Sequence, residues 1–221
     1  MIVSSRIKTV ASFIEAGEKV ADIGADHGIL ELYLLAKFDD VQITAIENKA
    51  GPYKILDHSL RGFKNIRLSY SDGLEAVERE TTTLVLAGMG GLNIKKILEA
   101  YPQKVSHNNK IIIDAHRDKD IARKCIVNFG FKIEKEIIVY EEGIFYVVSE
   151  FLRSEDVPNY SEDELAFGYQ IYLDPLWPKY RDFLISENNK TIAKIKDKIK
   201  LQDKVLKLEK MNERLRAYGK N

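Results

Sequence analysis

The 221-residue sequence holds a single cysteine, Cys125. A lone thiol cannot close an intramolecular disulfide, which excludes a disulfide-stapled secreted scaffold. No run approaches the ~18 consecutive apolar residues that a membrane span needs. The opening stretch Met1-Ile2-Val3-Ser4-Ser5-Arg6-Ile7-Lys8 lacks the apolar region of a signal peptide. These absences set the expectation of a soluble, cytoplasmic protein with no membrane partner. Histidines are few and scattered (His27, His58, His107, His116). With one cysteine they offer no zinc spacing, so no metal is expected.

Net charge is lacking too, with 34 Lys and Arg against 34 Asp and Glu. That balance hides an asymmetry. Residues 177–221 carry thirteen bases and six acids, a net of +7, so the preceding 176 residues carry −7. A basic tail on an acidic body suits a polyanionic partner; the bland alternative is a solvated charged helix. The hydrophobic share of 45% is ample for a packed core, which rules out global disorder.

Periodicity orders the elements. Ile7, Val10, Ala11 and Ile14 recur at helical spacing, predicting a helix over 5–14 that Gly17 ends. Apolar runs predict strands at 19–23, 41–46, 66–70, 82–87 and 110–114. Helices are predicted over 28–37, from Pro52 to Gly62, over 92–101 with a stop before Pro102, and over 118–129. Two extended runs, 131–140 and 144–152, flank Glu141-Glu142-Gly143, a hairpin signal. Alternating strands and helices imply a parallel sheet with right-handed crossovers. The closing hairpin adds an antiparallel strand. The expected fold is therefore α/β, a Rossmann-like seven-stranded sheet whose last strand is antiparallel, typical of class I methyltransferases. An open NAD-binding sheet is the competitor.

The expected domains are residues 1–153 and, after a polar linker, a helical extension over 160–221. A helix is predicted over 164–173. No glycine or proline lies between Pro178 and Gly219. Ile185, Ile192, Ile195 and Ile199 form one coiled-coil-like stripe, and Leu201, Val205, Leu208 and Leu215 form another. The register changes between them, which predicts a helix hairpin broken near Gln202, or two chains zipping together. A monomer is expected, with a dimer through these helices as the alternative.

The chemistry concentrates at strand ends. The first strand runs into Asp22-Ile23-Gly24-Ala25-Asp26-His27-Gly28. A dinucleotide fingerprint needs a second glycine where Asp26 stands. A carboxylate there would repel a pyrophosphate but suits the sulfonium and ammonium of S-adenosylmethionine. Glu47, followed by Asn48, ends the second strand at the distance expected of an acid that accepts ribose hydroxyls; otherwise it is a solvent-facing strand end. Asp72-Gly73 follows the third strand, where an acid can meet an adenine amino group, or is a plain turn pair. Ala87-Gly88-Met89-Gly90-Gly91 follows the fourth. Three glycines in four positions suggest that something flat or bulky packs against bare backbone. Asn93 is a substrate-base donor or acceptor, or a polar helix-start residue.

Four runs carry a family resemblance: Arg6-Ile7-x-x-Val10-Ala11-Ser12-Phe13-Ile14, Ala21-Asp22-Ile23-Gly24-Ala25-Asp26-His27, Ala87-Gly88-Met89-Gly90-Gly91 and Asn128-Phe129-Gly130-Phe131. Together they resemble the bacterial TrmK family of tRNA adenine-N1 methyltransferases, which modify position 22 of tRNA and carry a helical C-terminal extension. The sequence departs from that family at Gly28-Ile29-Leu30-Glu31 (usually Ala-Tyr-Leu-Pro), at Asp114-Ala115-His116 (often Gln-Pro after the strand) and at Phe167-Gly168-Tyr169 (often Phe-Gly-Pro). The resemblance implies S-adenosyl-L-methionine as cofactor and tRNA as partner. It implies cofactor contacts from Asp22, Gly24, Asp26, His27, Gly28, Glu47, Asn48, Asp72, Gly73, Gly88, Met89 and Gly90. Asp26, His27 and Asn93 are the candidates for catalysis. Lys194, Lys196, Lys198, Lys200, Lys204, Lys207 and Lys210 are the candidates for phosphate contacts. The alternative is a small-molecule or protein methyltransferase whose tail dimerises.

Overall fold

The computed structural model describes residues 3–220, in two compact units that divide between Asn159 and Tyr160. Five strands of the first unit are parallel: β1 (Lys19–Ile23), β2 (Gln42–Glu47), β3 (Ile66–Tyr70), β4 (Thr83–Met89) and β5 (Lys110–Ala115). The interior ones are largely buried and apolar, as strands covered on both faces are, whereas β3, at a border of the sheet, has no fully buried residue. The hairpin supplies β6 (Phe131–Glu141) and β7 (Ile144–Arg153). Glu142 and Gly143 at its turn both take positive φ, 49° and 83°. That is the pattern of a type I′ turn, whose twist matches the flanking strands. The strand order is β3-β2-β1-β4-β5-β7-β6, with β7 antiparallel to both neighbours. The last strand in sequence is therefore interior, and β6 forms the edge.

Helices α1 (Ser5–Ser12), α2 (Ile29–Lys37), α3 (Ala50–Leu60), α4 (Gly91–Ala100), α5 (Pro102–His107) and α6 (Lys119–Asn128) complete this unit. Val10, Ile14, Leu30 and Leu34 pack with Ile43, Val85, Ile112 and Val148 of the sheet in one cluster. Leu56 and Leu60 pack with Ala25 and Ala45 in another. Burying each such Leu, Ile or Val is worth about 1.5–3 kcal/mol. Tyr33 and Tyr53 are half-buried against these two clusters. Cys125 is buried in α6.

The first helix stops at Ser12 rather than Ile14. The helix α4 ends before Pro102, as expected, and Pro102 opens a further short helix, α5. Proline suits the first helical turn, where its missing N–H has no intrahelical partner to lose.

In the second unit, Ser161 and Glu164 form a capping box at the start of α7 (Glu162–Phe167). The helix expected over 164–173 is broken: Gly168, at φ +127°, separates α7 from a 3₁₀ turn at Ile171–Leu173. Beyond it lie α8 (Trp177–Ile195) and α9 (Gln202–Ala217). These pack as a hairpin, whose Asn212 amide accepts from Asn188 at 2.8 Å and donates to Asn189 at 2.9 Å. The two apolar stripes do not continue through the bend, where Ile199 is 89% exposed. The core of this unit is aromatic, with Tyr218 meeting Phe167, Tyr172 and Trp177 at centroid distances of 5.4–5.7 Å.

Candidate active site

The register of β1, β2 and β3 aligns Ile23 with Ile46 and Glu47 with Tyr70, so their C-terminal ends form one edge. Doubly wound sheets bind ligands at that edge. The turn after β1 begins with Gly24 at φ +84°, and both the Gly24 and Ala25 amides donate to the Ile46 carbonyl, at 2.8 and 3.0 Å. Asp26 follows at φ +50°, a conformation that costs a non-glycine residue about 1 kcal/mol or more. Its carboxylate is 3.5 Å from the His27 ring, and both side chains are more than half exposed.

Two chambers open at this edge and share Gly24, Asn48, Met89 and Asn93. The smaller, about 180 Å³, is walled by Ile23, Ile46, Ile97 and Tyr101, with Ser71, Asp72 and Gly73 at its polar side. Gly73, at φ +53°, lies so near Tyr101 that a Cβ would approach the ring to 3.1 Å. The larger chamber, about 770 Å³, is lined by Asp22, Asp26, His27 and Glu47 on one side and by Arg6, Gly88 and His116 on another. Ile29 lines it as well.

Hydrogen bonds fix the acids. The Asn48 side-chain amide donates to Asp72 Oδ1 at 2.8 Å. Glu47 is buried, and its Oε1 accepts from the Lys49 amide at 2.8 Å. Burial pushes the Asp22 carboxyl up to about 6; the side-chain bond from Glu31 opposes the shift and the nearby Glu47 charge adds to it. Glu31 is fully buried on α2, and burial followed by the Asp22 charge holds its carboxyl well above the usual range. Neither Glu31 oxygen meets an N–H or hydroxyl donor among the described residues. Two buried carboxyls side by side disfavour a second charge, so both are pushed toward the protonated form.

Of the residues singled out in the sequence, Asp22, Gly24, Asp26, His27, Glu47, Asn48, Asp72, Gly73, Gly88, Met89 and Asn93 line one chamber or both. Gly28 and Gly90 line neither. Gly28 takes φ +76° ahead of α2, and a Cβ there would press on Leu60 at 3.0 Å and Leu56 at 3.2 Å, so it serves helix packing. Gly90 lies under the Arg117 side chain. All seven candidate lysines are exposed, on α8, α9 and the bend between them. Glu31 and His116 entered only within departures from the family pattern, Arg6 only as part of a motif, and Tyr101 and Arg117 not as site candidates. Arg6, Tyr101 and His116 reach the chambers from elements distant from the first glycine turn, and one residue's identity carries no such signal. Among the described residues no group of three or more His, Cys, Asp or Glu could hold a metal ion, and no helix is long and apolar enough to cross a membrane.

A strand order of this kind, with acids rather than paired glycines at the nucleoside end, defines the α/β class of methyltransferases built on a Rossmann-like sheet. The chain belongs to the methyltransferase-domain family, whose model matches residues 3–149. It is 30% identical over 149 residues to the tRNA (adenine(22)-N(1))-methyltransferase of Bacillus subtilis, covering 66% of this chain and 63% of that enzyme's length. A Streptococcus pneumoniae structure solved with S-adenosyl-L-methionine superposes with a TM-score of 0.81 at 25% identity, covering 96% of this chain and all of that one. M. capricolum TrmK, solved with S-adenosyl-homocysteine, shares the fold at a TM-score of 0.83 and 24% identity, covering 99% and 98% of the two chains.

Proposed function

We propose that the protein transfers a methyl group from S-adenosyl-L-methionine to N1 of the adenine at position 22 of tRNA, acting as a monomer in the cytoplasm. The observation that carries the reading is the convergence of Asp22, Asp26, Glu47 and Asp72, from the ends of three adjacent strands, on one connected groove. Such a set favours a cationic nucleoside over a polyphosphate. The likeness to the Bacillus subtilis enzyme supports the choice of acceptor.

When bound, the cofactor supplies an electrophilic methyl on a positively charged sulfur. The chain's own residues divide the remaining tasks. Ile23, Ile46, Ile97 and Tyr101 bury a purine away from water. Asp72, one oxygen of which is held by Asn48, keeps the other to accept from an amino group. Glu47 likewise keeps Oε2 for ribose hydroxyls. Asp22 and Asp26 offer charge to the ammonium.

On the acceptor side no strong base is required, because adenine N1 already carries a lone pair. Holding the reacting atoms in line at about 3–3.5 Å supplies much of the rate. The methylated ring is cationic, so the Asp26 carboxylate and the Asn93 carbonyl are suited to stabilise charge as it develops. Asn93 is steadied by a 3.5 Å contact from its Nδ2 to Met89 Sδ. Because N1 lies on the pairing edge, the base must leave its stem. The seven exposed lysines of α8, α9 and their bend are the proposed phosphate contacts, with salt-dependent affinity.

The test is incubation with unmodified tRNA and labelled S-adenosyl-L-methionine, followed by mapping of the product nucleoside. The expected product is 1-methyladenosine at position 22. Label at another atom or nucleotide overturns the assignment.

A further inference from the structure

The turn that ends β4 is laced to the loop that follows β5. The His116 amide donates to the Met89 carbonyl at 3.0 Å, and the Gly91 amide donates to the Arg117 carbonyl at 2.8 Å. A Cβ on Gly91 would stand 1.9 Å from the Asp118 carbonyl oxygen, so only glycine permits this approach. The lacing lays two guanidinium groups over bare backbone on either side of Met89. Arg6 Nη1 is 3.7 Å from the point a Gly88 Cβ would occupy, and Arg117 Nε is 3.1 Å from that of Gly90. The glycines are thus filled by the protein's own arginines.

Arg6 is held firmly. Its Nη1 donates to Asp114 Oδ2 at 3.2 Å and to His116 Nε2 at 3.1 Å. Its guanidinium carbon lies 5.2 Å from the Tyr146 ring centroid. The start of its helix is tied down by Glu141, which accepts from the Ser5 amide at 2.7 Å. All these side-chain bonds use one nitrogen. Arg6 Nε and Nη2 donate to no atom among the described residues, and the side chain faces the larger chamber. Arg117 is freer: its side chain is 83% exposed and only approaches Asp118, at 3.9 Å.

We propose that Arg6 and Arg117 form a phosphodiester site that grips the RNA backbone on the two sides of the target nucleotide. This rests on the reading of the substrate as tRNA. An extruded nucleotide leaves its two flanking phosphates at the mouth of the pocket. The planar guanidinium fork matches phosphate oxygens in pairs. The ring itself is an unsuitable partner for these groups. Methylation makes it cationic, and two nearby guanidiniums would oppose that charge, so they belong to the backbone. Asp114, fully buried beneath Arg6, fixes where the fork points.

The test compares Arg117→Gln, Arg6→Lys and their combination in the full-length protein. Arg6→Lys keeps a cation beside Asp114 while removing the fork. Each single variant is expected to raise the KM for tRNA about five- to tenfold. Arg117→Gln is also expected to lower the slope of log affinity against log salt by about 1. Calorimetric binding of S-adenosyl-L-methionine is expected to stay unchanged. A tRNA with methylphosphonates flanking the target adenosine is expected to bind the wild type more weakly and to affect the double variant less. A wild type that accepts the methylphosphonate tRNA normally, or an Arg117→Gln protein with unaltered KM and slope, overturns the site. A wild type that binds the cofactor but methylates no tRNA overturns the substrate reading, and the site with it.

Discussion

Glu31 stands where the related family usually has proline, and it buries a second carboxyl beside Asp22. Two carboxyls lie together in a buried place, with Asp22 raised from 3.8 to about 6 and Glu31 raised well above its own ordinary value. For an acid whose folded value exceeds its unfolded one, the folded state holds the extra proton. The resulting cost is absent below about pH 4 and grows as pH rises through 6, so stability falls in that direction. Glu31→Gln keeps a donor for Asp22 and removes one charge. It is expected to stabilise the protein by about 1–3 kcal/mol at pH 8, and by less at pH 5. Urea unfolding at the two pH values checks this; an equal gain at both refutes the raised carboxyls. Gly91→Ala makes the opposite case. Its Cβ has no room against the Asp118 carbonyl, so the β4 turn must part from the loop after β5. The expected loss is about 2–3 kcal/mol in the same assay, with activity falling alongside.

The bend between α8 and α9 presents Lys196, Lys198 and Lys200, all exposed. Replacing the three with glutamine is expected to leave cofactor affinity intact and to reduce the salt slope of tRNA binding by up to about 3. Filter binding across a salt series measures it, and an unchanged slope removes the bend from the RNA interface. Asn212 tests the hairpin itself. Asn212→Ala strands the side chains of Asn188 and Asn189, with an expected cost of about 1–3 kcal/mol. Elements were more legible in the sequence than contacts. The interior parallel strands announced themselves because strands covered on both faces tolerate few polar residues. The hairpin announced itself through Glu142-Gly143. Its insertion beside β5 did not, because a hairpin pattern does not say which of its strands joins the sheet. The acids at the ends of β1, β2 and β3 were legible because topology puts every such end on one edge. Glu31 was not: a glutamate in the first turn of a helix ordinarily faces water, and only the packing of α2 on the sheet buries this one. Arg6 and Arg117 come from α1 and the loop after β5, more than 100 positions apart, and no local pattern links them.

At the scale of the whole chain, the proposed cofactor site is built from residues of the first unit. Saturating S-adenosyl-L-methionine at about 100 times its Kd stabilises whatever binds it by about 2.7 kcal/mol. Calorimetric heating is therefore expected to show the transition of the first unit rising with the ligand. Asp22→Asn combined with Glu47→Gln is expected to abolish the rise, and a persistent rise places the ligand elsewhere. One last feature concerns many molecules rather than one. Because β7 is interior, the eleven-residue β6 is left as a border of the sheet. Such a border is a template on which copies can stack into fibres. Here its pairing with β7 slips between Ile133 and Lys135, and the slip carries Glu134 bridged to Lys132 at 2.7 Å. A stacking copy would have to strip water from those charges and follow a kinked rim, so the irregularity guards the protein against self-assembly in a crowded cell.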